Sequence, residues 1–71
     1  GGVVPRTVTR WLVRYPQCFT GAEVADWIVA HYAVSRAHAN AIGEELLARN
    51  TIRHVFDEHG FVDGRELYRY V

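Results

Sequence analysis

The stretch Phe19-Thr20-Gly21-Ala22-Glu23-Val24 leaves little freedom in how the middle of this chain folds, because it carries the side chains that start a helix. Thr20 is an N-cap, its hydroxyl placed to accept a backbone N–H, and Glu23, three residues on, reaches back to complete a capping box. Phe19 before the cap and Val24 four residues after it form a hydrophobic staple that sets the angle at which the chain enters. Gly21 opens the helix, and Trp27 falls one turn beyond Glu23 on the apolar side.

The chain has 71 residues, 49% of them apolar, which suffices for one small domain with one core. A domain of this size hides only about 60% of the surface its unfolded chain exposes. Its single cysteine, Cys18, has no intrachain partner, so a reducing compartment fits better than an oxidising one, and the thiol reads as a small packed hydrophobe. The chain begins Gly1-Gly2 and lacks methionine. We read residues 1–71 as one domain cut from a longer protein, the first one or two residues being an expression remnant. No apolar run reaches the roughly 20 residues that span a bilayer. The net charge is zero, whereas nucleic-acid binders usually carry a basic excess. All eight basic residues are arginine, a planar fork of donors suited to carboxylates and phosphates.

The spacing predicts three helices followed by a β-hairpin, an α+β, winged-helix-like arrangement. Over residues 5–15, Val8, Trp11, Leu12 and Tyr15 fall at i, i+3, i+4 and i+7, and Arg6, Arg10 and Arg14 line the opposite face. Trp11 then belongs to the core, Pro16 ends the helix, and residues 16–19 form a short loop. A second helix over 21–31 turns Val24, Trp27 and Ile28 inward. A third, capped by Ser35 and running to about residue 49, buries Ala39, Ile42, Gly43, Leu46 and Leu47. Gly43 inside it costs roughly 1 kcal/mol against alanine, which suggests that another element passes close by. Asn50 tolerates the left-handed conformation that closes a helix. Beyond it the period becomes two, with Ile52, His54 and Phe56 alternating as in a half-buried strand. A turn over 57–60, a bend at Asp63-Gly64 and a last strand over 67–71 follow.

With these residues in view, RTVTRWLVRYPQCFTGAEVADWIV (residues 6–29) resembles the opening of the DEP domain, the signalling module of the Dishevelled, Egl-10 and pleckstrin family. It is most similar to the DEP domains of regulators of G-protein signalling. LLARNTIRHV (46–55), then Phe61 and Asp63, then LYRYV (67–71) are similar to the family's later segments, so the resemblance covers nearly the whole chain. Asn50 stands where many relatives have glycine, and His38 replaces an early acidic residue of the next helix. The residues that carry the resemblance are Trp11, Phe19, Thr20, Gly21, Glu23, Val24, Trp27, Phe61, Tyr68 and Tyr70, and we read them as structural.

The resemblance implies a non-catalytic module that brings its parent protein to the cytoplasmic, inner face of a membrane. Its partner would be a receptor tail, a membrane-anchoring protein or acidic phospholipids. The candidate contacts are Arg6, Arg10 and Arg14, with Arg53 and Arg69 of the terminal strands extending the field. Basic residues near an anionic surface are worth about 1 kcal/mol each, so three give assistance rather than anchoring. No enzyme is expected, because no nucleophile, base and orienting acid assemble and no glycine-rich phosphate cradle is present. No cofactor or metal is expected either: His54, Asp57, Glu58, His59 and Asp63 are crowded but lack the spacing of converging ligands. The alternatives are a winged-helix nucleic-acid reader, disfavoured because Glu44 and Glu45 offset Arg36 and Arg49 on the third helix, and a structural or dimerising module. A homodimer is an alternative, not the expectation.

Overall fold

The computed structural model describes residues 2–56 and 60–71. In chain order the elements are β1 (Arg6–Arg10), β2 (Val13–Thr20), α1 (Gly21–Tyr32), α2 (Arg36–Ala48), β3 (Ile52–His54) and β4 (Leu67–Tyr70). The strands form one antiparallel sheet in the order β1-β2-β4-β3. The expected pairing of the two late strands is present, with Ile52, Arg53 and His54 opposite Tyr70, Arg69 and Tyr68.

The expected first helix is absent, and the described residues form two helices rather than three. Residues 6–20 form a hairpin in which Val8 lies opposite Tyr15, Thr9 opposite Arg14 and Arg10 opposite Val13. The spacing had a second solution. A two-residue turn at Trp11-Leu12 folds positions i and i+7 against each other, so Val8 and Tyr15 meet across the hairpin instead of along a helix. The β-branched residues Thr7, Val8, Thr9 and Val13 favour that outcome. Pro16 does not end a helix, and residues 16–19 are not a loop: all four lie in β2. The register shifts between Arg6 and Val8, and Gln17 opposite that step has φ 59°, so β2 carries a bulge there that accommodates a proline without an N–H.

The start of α1 follows the sequence chemistry. The Glu23 N–H donates to Thr20 Oγ1 at 3.1 Å, and the Thr20 N–H donates to Glu23 Oε1 at 3.0 Å. Phe19 and Val24 are both buried in the main core with Ala25, Ile28, Ala39, Ile52 and Tyr68. Helix α2 starts on Ser35, whose Oγ accepts the His38 N–H. It ends in a Schellman motif: Asn50, at φ 59°, donates to the Leu47 carbonyl, and Thr51 donates to that of Leu46. The element expected to pass close to Gly43 is Phe61, whose ring would lie 2.6 Å from a Cβ at that position.

Tyr68 ties the core to the segment before β4. Its hydroxyl donates to the Gly60 carbonyl at 2.6 Å and accepts the Val62 N–H at 2.8 Å. Burial pushes its pKa above the ordinary 10.0, more than the bond from Val62 lowers it. A folded-state value above the unfolded one means stability that is complete below pH 10.0 and lost as the pH rises through the folded value. Tyr68→Phe leaves two backbone groups without their partner, so we expect a loss of about 1–3 kcal/mol near neutral pH. In urea titrations at increasing pH the difference between wild type and variant should shrink above pH 10.0. An unchanged difference there would count against this role.

Candidate functional site

The β1–β2 hairpin stands out from the body of a molecule 36 × 21 × 19 Å in extent, and between Val8 and Tyr15 its strands pair only with each other. A second, smaller core of Val8, Cys18 and Leu67 holds its base, with Tyr15 and Val55 packed alongside. Its turn has two central residues, Trp11 at φ 53° and Leu12 at φ 66°. Positive φ at both positions matches the twist of the strands but suits Asn-Gly, not two bulky side chains. Trp11 is 97% exposed and Leu12 98%. The expectation that Trp11 belongs to the core is therefore wrong: among the described residues no element covers the end of the hairpin.

The five arginines expected to form one field do not share a face. Arg6 bonds Glu23 at 2.8 Å, joining β1 to the capping box of α1. Burial raises the Glu23 pKa, but bonds from Arg6 and from both the hydroxyl and the N–H of Thr20 outweigh it and hold the carboxyl below its usual value. Arg10 and Arg14 occupy successive pairs of the hairpin ladder and so lie on opposite faces. Arg53 and Arg69 face each other across β3 and β4, and Arg69 Nη2 approaches Cys18 Sγ at 3.8 Å.

Sequence reasoning missed Thr9 and Arg65. Both line an open basin of about 630 Å³ beside the turn, together with Arg10, Trp11 and Glu66. Arg65 is held there by its neighbours. The Gly21 N–H donates to the Glu66 carbonyl and the Ala22 N–H to the Gly64 carbonyl, both at 3.0 Å, so the free N–H groups opening α1 fix the chain on either side of it. Arg36 adds a clamp, bonding Asp63 at 2.7 Å and also Asp26. The Arg36 guanidinium holds the Asp63 carboxyl below its usual range, and the Asp63 and Asp26 bonds in turn raise the pKa of Arg36. The Asp63-Gly64 bend hinted that residue 65 would sit on a turn, but not what it would face.

The other signature residues are structural here. Trp27 is half-buried against the core and stacks on His31 at 4.5 Å. The ring of Tyr70 lies 4.8 Å from that of Phe19, and its hydroxyl donates to the Val3 carbonyl. His54 is buried in β3; its Nδ1 accepts the Phe56 N–H, so Nε2 carries the hydrogen that faces Glu66 at 3.3 Å. Among the described residues no group of three or more His, Cys, Asp or Glu could hold a metal, and Asp57, Glu58 and His59 lie outside the described residues. No helix among those residues is long and apolar enough to cross a membrane.

The solution structure of the DEP domain of mouse pleckstrin superposes with a TM-score of 0.81 over 93% of this chain and 72% of that one, at 22% identity. The likeness shows the fold. The vacuolar membrane-associated protein IML1 of Yarrowia lipolytica is 35% identical over 57 residues, which is 78% of this chain. The human phosphatidylinositol 3,4,5-trisphosphate-dependent Rac exchanger 2 protein is 34% identical over 62 residues, 86% of this chain. The chain spans about 4% of the length of either relative. Domains of this type are generally non-catalytic modules. The family model of the domain found in Dishevelled, Egl-10 and Pleckstrin matches residues 2–70, and the chain belongs to the DEP family.

Proposed function

We propose that this domain is a non-catalytic signalling module that brings its parent protein to the cytoplasmic face of a membrane, with the Trp11-Leu12 turn entering the lipid. The observation that carries this reading is the turn itself: two large apolar side chains, almost fully exposed, on a backbone conformation that costs energy. Strain retained at a solvent-facing apex points to a use outside the fold. Tryptophan favours the headgroup level of a bilayer, and Arg10 and Arg14 stand directly behind the apex on both faces of the hairpin, where lipid phosphates would lie. The names of the relatives, one a vacuolar membrane-associated protein and one dependent on a phosphoinositide, agree with a membrane setting.

Burying each apolar side chain contributes about 1.5–3 kcal/mol and each arginine about 1 kcal/mol. The sum, before the cost of association, describes reversible attachment, which becomes effective when another part of the parent protein supplies a second contact. Co-sedimentation with vesicles tests it. Wild type should bind vesicles containing anionic lipid, and Trp11→Ser with Leu12→Ser should weaken binding about 100-fold, from the two lost insertions. Wild type that stays in the supernatant with every vesicle rejects the lipid reading and leaves a receptor tail or membrane-anchoring protein as the occupant of the apex.

A further inference from the structure

We propose that the basin between Thr9, Arg10, Trp11 and Arg65 recognises the phosphomonoester of a membrane lipid headgroup, an inference that rests on the membrane reading above. The argument begins with how the arginines are paired. Arg6 is bonded to Glu23, Arg36 to Asp26 and Asp63, and Arg49 to Glu45. Among the described residues, Arg10, Arg14, Arg65 and Arg69 have no carboxylate partner; Arg69 lies in β4 with Nη2 3.8 Å from Cys18 Sγ, whereas Arg10 and Arg14 lie on the hairpin and Arg65 stands beside it. In a chain of zero net charge, positive potential is thus left uncompensated next to the apex that enters the lipid.

Two of the three at the hairpin share the basin. Arg10 comes from the end of β1 and Arg65 from the bend before β4, so two arginines from separate elements line one space. The basin also holds one carboxylate, Glu66, which faces the N–H of His54 and is outnumbered there by the two arginines. At about 630 Å³ the space lies within the range of small-molecule sites. Trp11 is at once a wall of the basin and part of the inserting apex, which sets the opening at headgroup depth. A phosphomonoester carries about −1.5 to −2 charge and three terminal oxygens, enough for bidentate bonds to both arginines. A diester offers two oxygens and one charge, and so satisfies one fork. Arg14, on the other face of the hairpin, lies outside this set and serves as the internal control.

The test compares wild type, Arg10→Gln/Arg65→Gln and Arg14→Gln on vesicles whose anionic lipid is either phosphatidylinositol 4-phosphate or phosphatidylglycerol, matched in total charge. Wild type and Arg14→Gln should prefer the monoester vesicles about tenfold or more, and the double variant should lose that preference while still binding both. Binding without preference overturns the basin and leaves the apex reading intact. Loss of all vesicle binding by wild type overturns both. A titration with inorganic phosphate followed by amide shifts should move residues 9–11 and 65–66. Tight saturation by a soluble phosphothreonine peptide, with no preference among vesicles, overturns the lipid source in favour of a phosphorylated protein.

Discussion

Gly21→Ala is expected to cost about 3 kcal/mol or more, at a position where the same change would ordinarily help. At the first residue of a helix, alanine is favoured over glycine by up to about 1 kcal/mol when nothing is nearby. Here a Cβ would stand 1.7 Å from the carbonyl oxygen of Val62 and 2.9 Å from its carbonyl carbon. That obstacle is backbone, and it has no room to retreat. The chain around it is held by the Gly21 and Ala22 N–H groups, by the Arg36 clamp on Asp63 and by Tyr68 on Gly60 and Val62. Relief of the overlap therefore breaks several of those bonds together, above the usual 1–3 kcal/mol of overpacking. For a domain of this length, with total stability of about 4–10 kcal/mol, that removes roughly a third to three quarters of it. Thermal unfolding should show a midpoint lower by at least about 12 °C. A midpoint equal to or above that of wild type would sink this account of Gly21. Because the same segment carries Arg65, partial unfolding there should also abolish any preference for phosphomonoester lipid.

Why the fold was only partly legible follows from where each signal acts. The entry of α1 depends on Phe19, Thr20, Glu23 and Val24, all within one turn of one another, and so local chemistry decides it. The close of α2 at Asn50 and the close approach at Gly43 were readable for the same reason, since each needs a property of one residue. The hairpin over residues 6–20 was not. Its apolar spacing fits a helix and a two-residue hairpin equally well, and what separates them is tertiary: Val8 and Cys18 pack on Leu67, while Phe19 and Thr20 pair with Tyr68 and Leu67. Residues 67 and 68 are some fifty positions away, beyond the reach of a periodicity argument. Arg65 was missed likewise, because its place beside Arg10 is set by the N-terminus of α1 and by Arg36. Trp11 was placed in the core because a tryptophan on an apolar stripe usually is; exposure of a large side chain is the kind of departure that function produces.

That departure yields the second large prediction, in which stability and binding move in opposite directions. Trp11→Asn combined with Leu12→Gly should stabilise the isolated domain by about 1–2 kcal/mol. Each bulky residue at positive φ costs roughly 1–2 kcal/mol, whereas asparagine and glycine adopt that region readily. Against this, glycine adds about 0.4–1 kcal/mol of unfolded-state entropy, which reduces the gain without cancelling it. No packing is lost, because Trp11 and Leu12 are 97% and 98% exposed. The same variant should bind anionic vesicles about 100-fold more weakly, since the apolar apex is gone while all eight arginines remain. Urea unfolding and vesicle co-sedimentation on one preparation give both numbers. Lower stability would mean that the turn is unstrained or that its side chains support the fold. Undiminished vesicle binding would mean that the arginines alone hold the membrane. Only a turn kept for an external surface predicts a domain that becomes more stable as it loses its attachment.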